Sequence, residues 1–172
     1  MTKAKKILTT ASAVVTAGII GAVAANAATP AAEAPDASLR STRHVTIAAA
    51  TKAAQAALDA AAKEGQAVSV AVVDRDGNTI VTLRSDGAGP QSYAGAERKA
   101  FTAVSWNAPT SALMERLAKT PNLKDIPGTL FLPGGAPVRS KGAPVAAIGV
   151  AGAPSGDLDE KFARAGVAAL GG

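Results

Sequence analysis

The chain has no cysteine and one histidine, His44, in 172 residues. Without thiols it has no disulfide, no thiolate nucleophile, no Cys-ligated zinc and no iron–sulfur cluster. A single imidazole excludes a His-pair metal centre. It also leaves any Ser-His-Asp arrangement resting on a residue outside the periodic part of the chain. Aromatics are scarce: one Trp, one Tyr and three Phe. There is no basic tract either, so the chain lacks the charged stripe and stacking faces that nucleic-acid binding requires. Three glycine-rich stretches, Pro127-Gly128-Thr129, Pro133-Gly134-Gly135 and Gly149 to Gly152, match neither a dinucleotide nor a P-loop fingerprint. The last reads as a tight strand-to-helix connection, or as backbone N–H groups presented to an anion.

What is present begins with a targeting pattern. Lys3, Lys5 and Lys6 precede an apolar run of small residues from Ile7 to about Ala24, and Ala25-Asn26-Ala27 supplies a small-x-small cleavage site. Residues 1–27 read as a secretory signal cut before Ala28, so the protein is expected to be secreted; the alternative is an uncleaved membrane anchor. Three of the 18 basic residues lie in that segment, leaving 15 against 13 acidic residues and a net charge of +2 in place of +5. The segment 28–44 is rich in Ala, Pro, Glu, Asp and Ser without periodicity, which suits a flexible tether or an arm packed on a neighbouring subunit. Residues 45–172 form one domain.

Within that domain, Thr46 is placed to cap a helix over Ile47 to Glu64, with Ala50, Ala54, Leu58 and Ala61 at helical spacing and Gly65 at its end. Ala67 to Val73 alternates as a strand, Asp74-Arg75-Asp76-Gly77-Asn78 is a turn, and Thr79 to Arg84 returns as the second strand. Ser92 is expected to cap a helix from Tyr93 to about Trp106, which Pro109 follows. A shorter helix spans about Ser111 to Lys119. Thr129 to Leu132, Val138 to Lys141 and Val145 to Ala151 read as short strands. Asp157 with Glu160 resembles a capping box opening a last helix to about Leu170. The order α-β-β-α-α-β-β-β-α lacks βαβ alternation and predicts an α+β domain with a five-stranded antiparallel sheet.

Chemistry concentrates between Gln91 and Thr110, which hold Tyr93, Trp106, Phe101 and the cluster Glu97-Arg98-Lys99. That cluster is either a solvated helix face or a pocket rim where Arg98 or Lys99 holds a carboxylate. Thr102, Ser105 and Thr110 bond back to their own helix by default; turned into a cavity, Thr102 offers a weak oxygen ligand. Tyr93 is a further oxygen donor, and Met114 is a core residue by its type. His44 is either an exposed linker residue or a metal or heme ligand. Asp157, Asp159 and Glu160 are accounted for by a helix start, with surface iron binding as the rival reading.

The order VSVAVVDRDGN, RSDGAGPQS, ERKAFTAVSWNAPT, IPGTLFLPGGAPV and KGAPVAAIGVAGAPSGDLDEKFARAG resembles the GlcG/HbpS-like family, within it the secreted heme-binding proteins of actinobacteria. The resemblance spans about Val45 to Leu170. It implies a profilin-like fold, assembly into homo-oligomers up to octamers, heme as cofactor with slow heme breakdown, and an accessory role for a membrane sensor kinase of a two-component system. Cobalamin and iron ions are associated ligands. The KAFTAVSW motif places the family's heme-associated threonine at Thr102, with Tyr93, Arg98 and Lys99 around it. No histidine or cysteine lies inside the domain, so the resemblance implies weak axial ligation and a heme iron open to peroxide. Two other functions remain compatible with the residues: an oligomeric interaction module without a small ligand, and a binder or enzyme for an organic acid or corrinoid.

Overall fold

The structure is a computed structural model that describes residues 32–171. The expected signal, residues 1–27, lies outside the described residues. Two compact units divide the chain, Met1–Arg40 and Ser41–Gly172. The described part of the first is exposed backbone with one 3-10 turn, Asp36–Ser38.

The second unit runs α1 (Ile47–Ala62), β1 (Ser69–Asp74), β2 (Thr79–Arg84), α2 (Pro90–Trp106), α3 (Thr110–Lys119), a 3-10 turn (Pro121–Asp125), β3 (Gly135–Ser140), β4 (Ala143–Ala151) and α4 (Gly156–Ala168). The sheet is antiparallel throughout, in the order β2-β1-β4-β3. The α+β class stands; the fifth strand does not. Thr129 to Leu132 joins no ladder, because its backbone is spent on α2. Arg98 Nη2 donates to the Thr129 carbonyl at 2.7 Å, and the Leu130 N–H donates to Thr102 Oγ1 at 2.7 Å. The third strand also starts earlier than expected: Gly135, Ala136 and Pro137 pair with Gly149, Ile148 and Ala147. Proline is tolerated there because β3 is an edge strand.

Alternation along the strands sorts the core into two layers. Val70 and Val72 of β1, with Ile148 and Val150 of β4, pack against Ala50, Ala53, Ala54 and Ala57 of α1 and Phe162 of α4. On the other face, Val73 and Ala147 meet Ala100, Ala103 and Val104 of α2, and Ala71 and Ala151 meet Ala96. That second layer is thin because glycine lies beneath the helix. A Cβ on Gly149 would overlap the Ala96 carbonyl oxygen and stand 2.5 Å from the Ala100 nitrogen, and one on Gly135 would overlap the Lys99 carbonyl oxygen.

Helix ends follow local chemistry, with two revisions. Thr46 caps α1, accepting the Ala49 N–H at 3.3 Å. Gly89 precedes α2 and Pro90 occupies its first turn, where a missing N–H costs nothing. Ser92 is therefore inside the helix, not its cap; it is buried, donates to the Gly89 carbonyl and pairs with Ser69 Oγ at 2.8 Å. Ser155, not Asp157, caps α4 by accepting the Leu158 N–H at 3.3 Å. Glu160 reaches across to α3 instead of back to the cap. Among the described residues no helix is long and apolar enough to cross a membrane.

Candidate functional site

Helix α2 sends its central charges in three directions. Glu97 accepts from Thr82 Oγ1 of β2 at 3.2 Å. Arg98 reaches the segment that precedes β3. Lys99 turns inward: its ammonium donates to Asp159 Oδ2 of α4 at 2.7 Å, with both side chains almost fully buried. Lys99 is thus neither at a pocket rim nor on a solvated face. Asp159 of α4 is its ion-pair partner among the described residues.

Thr102, four residues on from Arg98, is fully buried. Its hydroxyl donates to the Arg98 carbonyl at 2.7 Å and accepts the Leu130 N–H. The expected back-bond to its own helix is present, and the remaining capacity ties down Leu130. Together Arg98 and Thr102 act as two pins that tie Thr129 and Leu130 to α2.

That pinned segment makes one wall of a cleft of about 260 Å³. Leu130, Phe131, Leu132 and Leu117 of α3 supply apolar walls, Thr129 a hydroxyl, and Arg98 and Lys124 two cations. The Thr129 hydroxyl donates to the Ile126 carbonyl at 2.8 Å. Phe131 is held edge-on against Trp106 at 5.8 Å between ring centroids, and Arg116 lies over the same indole at 5.8 Å. Trp106 thereby braces the wall from behind. Of the four candidate site residues, Arg98 lines the cleft and Thr102 holds its wall in place. Tyr93, half-exposed in the first turn of α2, and Lys99 do not line it.

A larger cleft of about 390 Å³ lies between α3 and α4, lined by Ser111, Asp157, Glu160, Lys161 and Arg164. One of its two carboxylates is already engaged: Glu160 accepts the Ser111 N–H at 2.9 Å, the Ser111 hydroxyl at 2.7 Å and Arg164 Nη2 at 2.6 Å. Burial pushes the Glu160 carboxyl up, but those hydrogen bonds and the Arg164 charge outweigh it and hold the group below its ordinary value. At Asp159 burial wins over Lys99 and the Gly152 and Ala153 N–H groups, and the carboxyl is raised. The two neighbours in the expected acidic helix start are therefore buried structural acceptors, leaving Asp157 as the exposed member. His44 sits beside the β1–β2 turn, with its ring nitrogens 3.8 Å from Asp74 Oδ2 and 3.5 Å from Asp76 Oδ2.

A family model described as "Haem degrading protein HbpS-like" matches residues 45–168. The chain belongs to the HbpS-like family. A double mutant of HbpS from Streptomyces reticuli is 70% identical, with 85% of this chain and 99% of that chain covered and a TM-score of 0.82. A second HbpS crystal structure is 71% identical over 82% of this chain and all of the other, at a TM-score of 0.81. A PduOC:heme complex shares the fold at 23% identity and a TM-score of 0.68, over 74% of this chain and 95% of that one. No relative among curated protein sequences matches.

In this HbpS-like chain the residues that sequence reasoning missed are Leu117, Lys124, Thr129, Leu130, Phe131 and Leu132. One signal did mark four of them: Thr129-Leu130-Phe131-Leu132 is an apolar run bounded by Pro127-Gly128 and Pro133-Gly134, too short to be assigned by periodicity alone. The donor set fits a flat apolar ligand with peripheral carboxylates, such as heme: apolar plates for the macrocycle and two cations for propionates. Among the described residues no imidazole, thioether or phenol lines the cleft, so the axial donors they offer there are oxygens.

Proposed function

We propose that this protein is a secreted heme-binding protein whose heme lies against Leu130, Phe131 and Leu132, with its propionates on Arg98 and Lys124. The observation that carries this is the apolar cleft bracketed by two cations, on a wall that Arg98 and Thr102 pin to α2. The family's description as heme-degrading and the heme complex of PduOC support it.

Each residue has a separate task. The leucines and Phe131 remove the macrocycle faces from water. Arg98 and Lys124 orient the carboxylates, and Arg98 does so while its Nη2 holds the Thr129 carbonyl. The Thr129 hydroxyl, already donating to Ile126, has lone pairs left to accept. Bound heme supplies its own redox chemistry, so slow peroxide-driven breakdown needs no dedicated acid–base pair in the chain.

A cleft of about 260 Å³ covers only part of a tetrapyrrole. Exposed Leu132, Ile126 and Met114 stand on the same segments that build it. A second copy covering them would close the site, which favours a homo-oligomeric working form and leaves other surfaces for a membrane sensor kinase ectodomain. The test is titration of heme-free protein with hemin. A saturable Soret shift is expected. No shift would contradict the proposal, and an equal response to cobalamin would reassign the cleft to corrinoids.

A further inference from the structure

The single histidine has no part in the heme cleft, yet the fold does not leave it as a linker residue. It lies just before α1 and faces the turn between β1 and β2. That turn is built around Asp74, whose Oδ1 accepts the N–H groups of Asp76 and Asn78, both at 2.9 Å. Asn78 Nδ2 donates to Asp74 Oδ2 at 3.3 Å, so the carboxylate is fixed with Oδ2 toward the imidazole. Asp76, two residues on, directs its own Oδ2 at the same ring. Its carboxylate accepts no hydrogen bond from the described residues. Thr42 Oγ1 contacts His44 Nε2, the nitrogen facing Asp76, at 2.8 Å, which leaves Nδ1, 3.8 Å from Asp74 Oδ2, as the nitrogen open to an ion.

The spacing argues for a bridging ion. At 3.8 and 3.5 Å, neither imidazole nitrogen is within good hydrogen-bonding distance of its carboxylate oxygen. The two contacts run from different ring nitrogens, so one ion would take a single nitrogen together with the two carboxylate oxygens, at the roughly 3.4 Å spacing of ligand atoms about 2.0–2.2 Å from a tetrahedral metal. One ligand atom from each of His44, Asp74 and Asp76 lies within 4.8 Å of the others. The His44 side chain is 39% exposed, so the ring has room to turn one nitrogen toward both oxygens. One imidazole with two carboxylates selects a borderline first-row dication over the all-oxygen shells preferred by calcium or magnesium.

We infer that His44, Asp74 and Asp76 form a binding site for a first-row transition-metal dication such as Zn²⁺, with water completing the shell. The ion would clamp residues 41–46, which lead into α1, onto the β1–β2 turn. Binding that favours the folded chain raises its stability by mass action. None of the three residues lines the heme cleft, so the inference stands or falls apart from the heme reading.

The test is calorimetric titration of the heme-free protein with Zn²⁺, alongside Co²⁺ absorption in the visible and thermal melts with and without Zn²⁺. One ion per chain is expected, with a raised melting temperature. Four-coordinate Co²⁺ would give a visible band that His44→Ala abolishes. His44→Ala and Asp76→Asn should each weaken Zn²⁺ binding at least about tenfold, as loss of a direct ligand exceeds or equals loss of its supports. Both positions are exposed, and melts without metal verify that the variants fold. No saturable Zn²⁺ binding by the wild type overturns the site, as does unchanged binding in His44→Ala.

Discussion

The Lys99 ammonium meets the Asp159 carboxylate at 2.7 Å, with side-chain exposures of 6% and 5%, and this pair joins α2 to α4 across the end of the sheet. Asp159 also accepts the Ala153 N–H at 3.0 Å, which fixes the chain between β4 and α4. Removing one partner leaves a buried charge uncompensated, so Lys99→Met should cost about 3–5 kcal/mol. The joint variant Lys99→Met/Asp159→Leu should recover most of that loss, because the pair contributes little beyond an apolar replacement of similar volume. Urea unfolding of the four proteins of this cycle measures both; a neutral Lys99→Met would show that α4 is held by its apolar face alone.

Glycine under α2 sets the second prediction. Gly149→Ala places a methyl against backbone atoms of Ala96 and Ala100, which cannot move aside as a side chain could. A loss of about 1–3 kcal/mol or more is expected. Gly142 is the contrasting case: its φ is +80° with nothing within 4 Å of a new Cβ, so Gly142→Ala should cost only the left-handed backbone strain of about 1–2 kcal/mol. Thermal melts rank the two.

Acid stability follows from three carboxyls. Burial acts to raise Glu160 and Asp74, but hydrogen bonds, helped by Arg164 beside Glu160 and His44 beside Asp74, hold both below their ordinary values of 4.5 and 3.8. A depressed folded value means stability that is present above the unfolded value and lost as the pH falls through the folded one. Asp159, raised by burial, works in the opposite sense: its contribution is present below 3.8 and lost as the pH rises through its folded value. Glu160→Gln should therefore be less stable than wild type at neutral pH, with the difference shrinking below pH 4.5. Unfolding free energies across that range check the sign.

Much of the framework was legible in the chain. The alternation of Val70 and Val72 against Ala71 and Val73, with the Asp74–Asn78 turn, specified the first hairpin, and Thr46 marked where α1 begins. Residues 129–132 were not legible as a cleft wall, because their partners are side chains 28 and 31 positions away that no local period records. Lys99 looked like a surface charge for the same reason: its partner is 60 residues distant. Thr102 was singled out by motif, and its buried hydroxyl holds the wall without lining the cleft. His44 looked isolated because only the folded turn brings Asp74 and Asp76 to it.

For the cleft itself, Lys124→Glu should weaken hemin binding about five- to tenfold, an effect that shrinks with added salt as the exposed charge is screened. Lys124 makes no side-chain hydrogen bond among the described residues, so folding is expected to be unchanged. Hemin titrations at low and high ionic strength measure it.

The most direct measurement compares hemin binding by the wild type and by Leu132→Glu, followed in the Soret band. Leu132 lines the cleft yet is 50% exposed, so a carboxylate there leaves the core intact while repelling an anionic apolar ligand. The account predicts a saturable Soret shift in the wild type and an affinity at least about tenfold weaker in Leu132→Glu. Equal hemin affinity in the two proteins would place the heme elsewhere and contradict it.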